Sequence, residues 1–225
     1  MSPTSSGAEA PLKVALPKGT MMRHVADLLA RAQFVIPGYH EGSRTYRLVS
    51  QSPPGVFVKV FSPKDIPIQV AVGNYDIGIT EYLWVRELTT SFKKIAILTV
   101  MELPFGSERL FAAAAPEMTP ADIQARARLQ SVRIVSEYPN LAEEFARSMR
   151  LFRYRVFPIW GRASSYIPDG AEIAVMKAKS EGDIRRQGLT PLGVIARSGA
   201  VIIANRVSFE TRDLSRVLSP LKEAS

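Results

Sequence analysis

The chain has 225 residues, 46% of them hydrophobic and 22% charged, enough to bury one large core or two small ones. It contains no cysteine, which excludes disulfides, thiolate metal sites and a cysteine nucleophile, and its two histidines, His24 and His40, argue against a histidine-rich metal site. A formal charge of +8 suits a nucleic acid or an anionic metabolite equally well, so charge alone does not choose a partner.

Residues 1–11 read as a flexible tail with neither a basic n-region nor an apolar h-region, and no later run approaches the ~18 apolar residues of a membrane span. A cytoplasmic protein without membrane contact is expected. Val14, Ala15 and Leu16 form a buried strand, and the turn Pro17-Lys18-Gly19-Thr20 leads into a helix over 21–33. A helix amino terminus beside a lysine and a glycine is suited to receive an anion. Asp65 is the expected N-cap of a helix carrying Pro67 in its first turn and Ile66, Val70 and Ala71 on one side, stopped by Gly73 and Asn74. The alternation of Ile66, Ile68, Val70 and Val72 also permits a strand. Next comes the short run Tyr75-Asp76-Ile77-Gly78-Ile79-Thr80, with Asp76 and Thr80 near its two ends.

Strands are expected at 14–16, 46–49, 56–61, 77–79, 95–100, 110–115, 132–135, 155–159, 173–176, 192–196 and 200–204. Helices are expected at 21–33, 141–150, 181–187 and 209–218, the last stopped by Pro220. The alternation defines an α/β protein. The basic segment 147–155, RSMRLFRYR, reads as a solvated face with helix carboxyl-end compensation, because no nucleic-acid motif accompanies it.

The runs ALPKG, PKDIP with DIGIT, PFGSERLFAAA, EYPNL, GDIRRQGL and ARSGAVIIANR, in this order over residues 12–206, resemble the catalytic subunit of ATP phosphoribosyltransferase in its short form. The resemblance implies a two-lobed periplasmic-binding-protein-like (type II) α/β fold with a central inter-lobe cleft. The lobes would be 12–102 with 190–225, and 103–189, with crossings at 102–107 and 188–191. It implies transfer of phosphoribosyl from phosphoribosyl pyrophosphate to N1 of ATP, the first step of histidine biosynthesis, with Mg2+ assistance. A homo-oligomer and a histidyl-tRNA-synthetase-like regulatory subunit are implied partners. Nucleotide-binding positions carried over are Lys18, Gly19, Arg44, Lys64, Asp76, Thr80, Arg109, Tyr138 and Asn140. No catalytic residue or metal ligand is assigned.

The chain departs from the family pattern at several of these places. Counted back from Gly188-Leu189, the phosphoribosyl loop covers Met176, Lys177, Lys179, Ser180, Glu181, Gly182 and Asp183. Met176 stands where the family has an aspartate, and Ser180 to Asp183 replace its Thr-Gly-x-Thr turn. Glu181 and Asp183 are expected to repel a 5′-phosphate, offset in part by Lys177 and Lys179. Thr20, Glu81 and Glu137 stand where the family usually has Arg, Gly and Lys. These changes leave two alternatives open: a nucleotide-binding or regulatory paralogue without transfer, or a transferase with another acceptor or donor.

Overall fold

The computed structural model describes residues 10–225, so the expected tail falls almost wholly outside the described residues. The chain runs β1 (Leu12–Pro17), α1 (Met21–Arg31), β2 (Arg47–Val49), β3 (Val56–Phe61), a 3-10 turn (Pro63–Asp65), α2 (Ile66–Ala71) and β4 (Ile77–Glu81). It continues with α3 (Tyr82–Ser91), β5 (Ile97–Glu102), β6 (Glu108–Ala114), α4 (Pro120–Leu129), β7 (Val132–Ser136), α5 (Pro139–Ser148) and β8 (Tyr154–Pro158). After a second 3-10 turn (Ala163–Tyr166) come β9 (Ile173–Ala178), α6 (Glu181–Arg186), β10 (Thr190–Ser198), β11 (Ala200–Asn205), α7 (Arg206–Thr211) and α8 (Ser215–Glu223).

Two compact units result, one formed by the described residues up to Thr80, Ala96–Leu103 and Val201–Ser225, the other by Glu81–Ile95 and Pro104–Ala200. In the first, the strand order is β2-β3-β1-β4-β11-β5, with β1 parallel to β3 and β4. Gly78 lets α2 lie close on β4, since a Cβ there would stand 2.6 Å from Ile66 Cγ2 and 2.9 Å from Val70 Cγ2. This contact selects helix over strand for residues 66–71, with Ile66 and Val70 fully buried. Pro67 does lie in the first turn, although Asp65 makes no side-chain cap bond.

The second unit is built on the order β10-β6-β9-β7-β8, with β7 parallel to β8 and β9, and β6 antiparallel to β9 and β10. Phe111 and Ala112 to Ala114 are fully buried in β6, where small side chains admit close packing on the sheet. Burying each large aliphatic side chain here contributes about 1.5–3 kcal/mol. The strand β10 belongs to this unit because it pairs with β6 from Thr190↔Ala114 to Ser198↔Glu108. The chain therefore returns to the first unit between Ala200 and Val201, rather than near 188–191.

The expected strands all form, but the helices differ. The helix α3 escaped the periodicity reading because its buried side includes a carboxylate, Glu87, beside Leu83 and Val85. The helix α4 opens on a capping box between Thr119 and Asp122. The last expected helix is two, and Pro220 lies inside α8 instead of ending it. Burial of Leu214, Val217 and Leu221 holds α8 despite the hydrogen bond that proline removes. Arg147 sits in the last turn of α5 and pairs with Glu143, so the first arginine of the basic segment is compensated within its own helix.

At the amino end of β9, buried Glu172 accepts from the Arg133 backbone N–H at 2.7 Å and its guanidinium at 2.8 Å, tying β9 to β7. Burial acts to raise the Glu172 carboxyl, but the hydrogen bonds from Arg133 and the charges of Arg133 and Arg126 outweigh it and hold it below the usual carboxylate range. A lowered folded-state pKa stabilises above the unfolded value, here 4.5, and that contribution is lost as pH falls through the folded value. Glu172→Gln is therefore expected to cost about 1–3 kcal/mol at neutral pH. Urea melts of both proteins should converge as the pH is lowered below 4.5, and a difference independent of pH would remove the carboxylate from this account.

Candidate functional site

In the first unit the carboxyl ends of the parallel strands β1, β3 and β4 face the same way, the usual place for ligands on such sheets. β1 leads into Lys18 and Gly19, β3 into the turn that carries Lys64, and Thr80 is the penultimate residue of β4. The Lys18 N–H donates to Phe61 O at 2.8 Å, and the buried Thr80 hydroxyl donates to Pro63 O at 2.7 Å, so both turns are pinned to the sheet. Gly19 has φ +77°, a conformation that strains any residue with a Cβ. Arg44 is exposed on the segment leading to Tyr46, whose carbonyl accepts from Val60 N at 2.9 Å. Tyr39, donating to Pro17 O at 2.7 Å, anchors the other side of that segment, and Lys18 Nζ lies 5.7 Å from the Tyr46 ring centroid.

The amino end of α1 is open. Thr20 makes no side-chain cap bond and the first turn has no acidic residue; Met22 N–H donates back to Gly19 O at 3.0 Å, and the exposed Lys18 stands just before this turn.

Asp76 is not at this end. It precedes β4 and is nearly buried, accepting from Lys13 N at 2.8 Å, Ser208 Oγ at 2.7 Å and Arg212 Nη1 at 2.7 Å. Its carboxylate ties β1 to α7 and the residues after it, so a nucleotide role does not fit its geometry.

Asn140 is likewise occupied. The amino end of α5 is filled by the Glu87 carboxylate, which accepts from Asn140 N at 2.8 Å and Leu141 N at 3.0 Å. Burial pushes the Glu87 carboxyl up, against these hydrogen bonds. Sequence reasoning missed Glu87, and an acidic residue among the apolar positions of α3 was the available signal.

Tyr138 is a core residue, stacked on Trp84 with centroids 4.3 Å apart, its hydroxyl donating to Glu81 at 3.4 Å. Burial first, then the Glu81 charge, raises its pKa. Glu81, 9% exposed, also accepts from Lys177 Nζ at 2.8 Å and Ser198 Oγ at 3.0 Å. Burial works against the Lys177 ammonium, but Glu81 and Glu108 more than offset it and raise its pKa. Lys177 thus neutralises Glu81, not the loop.

The loop acids are not aimed at an empty space either. Ser180 caps α6 by accepting from Asp183 N at 3.2 Å, Asp183 pairs with Arg186, and Glu181 pairs with Arg185 at 3.1 Å. Gly182 lies between them, where a Cβ would stand 3.4 Å from Ser180 Oγ. The expected repulsion of a phosphate by two free carboxylates is therefore corrected: both are paired within their own helix.

Two open recesses flank β9 in this unit. One, of about 200 Å3, is lined by Glu137, Tyr138, Gly161, Arg162, Ala163, Val175, Met176 and Lys177. The other, of about 320 Å3, is lined by Ser107, Glu108, Arg109, Lys179, Arg197 and Ser198. Arg162 and Arg197 were not among the sequence candidates, since lone arginines beside apolar strands carry no motif.

Two α/β units with these sheet orders, and with polar turns at the ends of parallel strands, define a type II periplasmic-binding-protein-like fold. Among solved structures the chain is similar to the ATP phosphoribosyl transferase (HisG:HisZ) complex from Thermotoga maritima, with TM-score 0.77 and 19% identity over 95% of this chain and 98% of that one. It also resembles the periplasmic aliphatic sulphonate binding protein SsuA from Escherichia coli, with TM-score 0.53 and 14% identity over 96% and 69% of the two chains. A family model described as HisG, ATP phosphoribosyltransferase, matches residues 62–223. An ATP phosphoribosyltransferase of Nostoc sp. is 26% identical over 223 residues, covering 95% of this chain and 98% of the relative. The chain belongs to the HisG family of ATP phosphoribosyltransferases.

Proposed function

We propose that this chain transfers phosphoribosyl from phosphoribosyl pyrophosphate to N1 of ATP, the opening step of histidine biosynthesis. In a member of this family, the observation that carries the reading is the open, lysine-flanked amino end of α1. ATP phosphates rest there, on the α1 N–H groups and on Lys18, with Arg44 and Lys64 neutralising the remainder. The adenine N1 lone pair forms a bond to the anomeric carbon while the bond to the diphosphate oxygen breaks, and pyrophosphate leaves with that electron pair. Such a displacement is accelerated by alignment and by neutralising the departing charge, with no dedicated nucleophile.

For the donor, Glu137 takes the place that Met176 leaves empty. Ser136 pairs with Val175 in the parallel strands β7 and β9, so Glu137 and Met176 stand side by side one step beyond, and both line the 200 Å3 recess. Glu137 accepts from the ribose hydroxyls there while Met176 supplies an apolar floor, and Arg162 adds a cation.

Magnesium enters with the diphosphate. The loop carboxylates are committed to arginines and a serine, and no grouping of three His, Cys, Asp or Glu suited to a metal occurs among the described residues. The residues present do not fit a resident ion, and Mg2+ held mainly by substrate phosphates is the usual arrangement in such reactions. A homo-oligomer and a histidyl-tRNA-synthetase-like regulatory subunit complete the reading, the latter supported by the complex formed by the Thermotoga relative. No helix among the described residues is long and apolar enough to cross a membrane.

The test mixes purified chain with ATP, phosphoribosyl pyrophosphate and Mg2+, with and without such a subunit, and follows the near-ultraviolet absorbance of the adduct together with pyrophosphate release. Both signals should rise together. ATP binding with neither signal under either condition would replace the transferase with the nucleotide-binding paralogue.

A further inference from the structure

Arg109 on β6 and Arg197 on β10 are direct partners in an antiparallel ladder. Arg109 is also the register partner of Ala178 on β9, and Lys179 follows immediately. Like charges facing each other across a ladder destabilise it, and these three cations are exposed and line one recess. Among the described residues none of the three holds an ion pair. The one carboxylate lining that recess, Glu108, lies 3.6 Å from Lys177 and is drawn toward that lysine. A sheet end that accumulates unpaired cations across three strands breaks a local rule of strand pairing, and such breaches concentrate where a ligand supplies the missing charge.

We propose that the Arg109–Lys179–Arg197 recess is a diphosphate-binding site. Two guanidinium groups presented side by side suit the paired oxygens of adjacent phosphoryl groups, and the ammonium of Lys179 adds a point charge at the edge. The site does not draw on the α6 amino end that follows Lys179, because Ser180 and Asp183 close it. It rests on the proposed reaction only for which diphosphate fills it: the donor's or the released product.

Calorimetric titration of the full chain with inorganic pyrophosphate tests the site. Arg197→Ala and Arg109→Gln should each weaken binding by about tenfold or more, whereas Arg128→Ala, an equal loss of charge on the exposed end of α4, should change it less than about twofold. Without ligand, Arg197→Ala should melt at or above the native temperature, because a like charge has been removed. A parallel titration with phosphoribosyl pyrophosphate identifies the donor's diphosphate as the source if its affinity falls in step, and the released product if it does not. Native-like pyrophosphate binding by Arg197→Ala and Arg109→Gln, an equal loss in Arg128→Ala, or no pyrophosphate binding at millimolar concentration would each overturn the site. An adduct-forming chain whose pyrophosphate affinity ignores Arg197 sinks this site alone. Pyrophosphate bound through Arg197 in a chain that forms no adduct sinks the reaction alone.

Discussion

Replacing Lys177 by methionine is expected to lower stability by about 2–3 kcal/mol, a drop in melting temperature of roughly 5–10 °C for a chain of this size. Its ammonium lies 2.8 Å from Glu81 Oε1, and the Glu81 side chain is only 11% exposed. Removing one partner of a buried pair leaves the other charge uncompensated, which is costlier than never having had the pair. The Ser198 and Tyr138 hydroxyls remain as donors to Glu81, which keeps the loss below the upper range for such changes. Adding Glu81→Leu to the Lys177→Met chain should then recover most of the loss, since both charges are gone. Urea denaturation of the four proteins in this cycle reads the coupling directly. A single variant within about 0.5 kcal/mol of the native chain would show that water already screens the pair.

Changing Glu137 to glutamine should weaken phosphoribosyl pyrophosphate binding between about tenfold and a hundredfold, the range of one or two charge-assisted hydrogen bonds at about 1.5–3 kcal/mol each. ATP affinity and melting temperature should stay near native, because Glu137 is only partly buried and belongs to the second unit, whereas the α1 turn belongs to the first. Met176→Asp introduced into the Glu137→Gln chain should restore donor binding by returning a carboxylate to the neighbouring strand end. In the native background the same Met176→Asp change should help little or harm, since two carboxylates would then share one recess. Titration of the donor into all four chains decides the matter. If Glu137→Gln binds as the native chain does and Met176→Asp alone improves binding, the ribose acceptor is simply missing and the paralogue reading gains.

How much of this was legible beforehand depends on how local the signal is. The strands were readable because short apolar runs bounded by turn residues specify strands through contacts a few positions apart. Pro17 to Thr20 was readable as a turn from strand to helix for the same reason. Glu87 was not, because a carboxylate on the buried side of α3 is explained only by the Asn140 and Leu141 N–H groups more than fifty positions away. Asp76 was carried over as a nucleotide-binding position by the family resemblance, and only its bonds to Lys13, Ser208 and Arg212 turn it into a structural tie.

What the sequence by itself determined is the α/β class, the family to which its motifs belong, and the turn that leads into α1, all of which rest on neighbours along the chain. The tertiary structure alone decided which charges remain available. Glu81 and Lys177 cancel across 96 positions, Glu181 and Asp183 are spent on arginines of their own helix, and Arg109 meets Arg197 only because β6 and β10 pair antiparallel. Charge is visible in a sequence, but its compensation depends on distance in space, which only the folded chain sets.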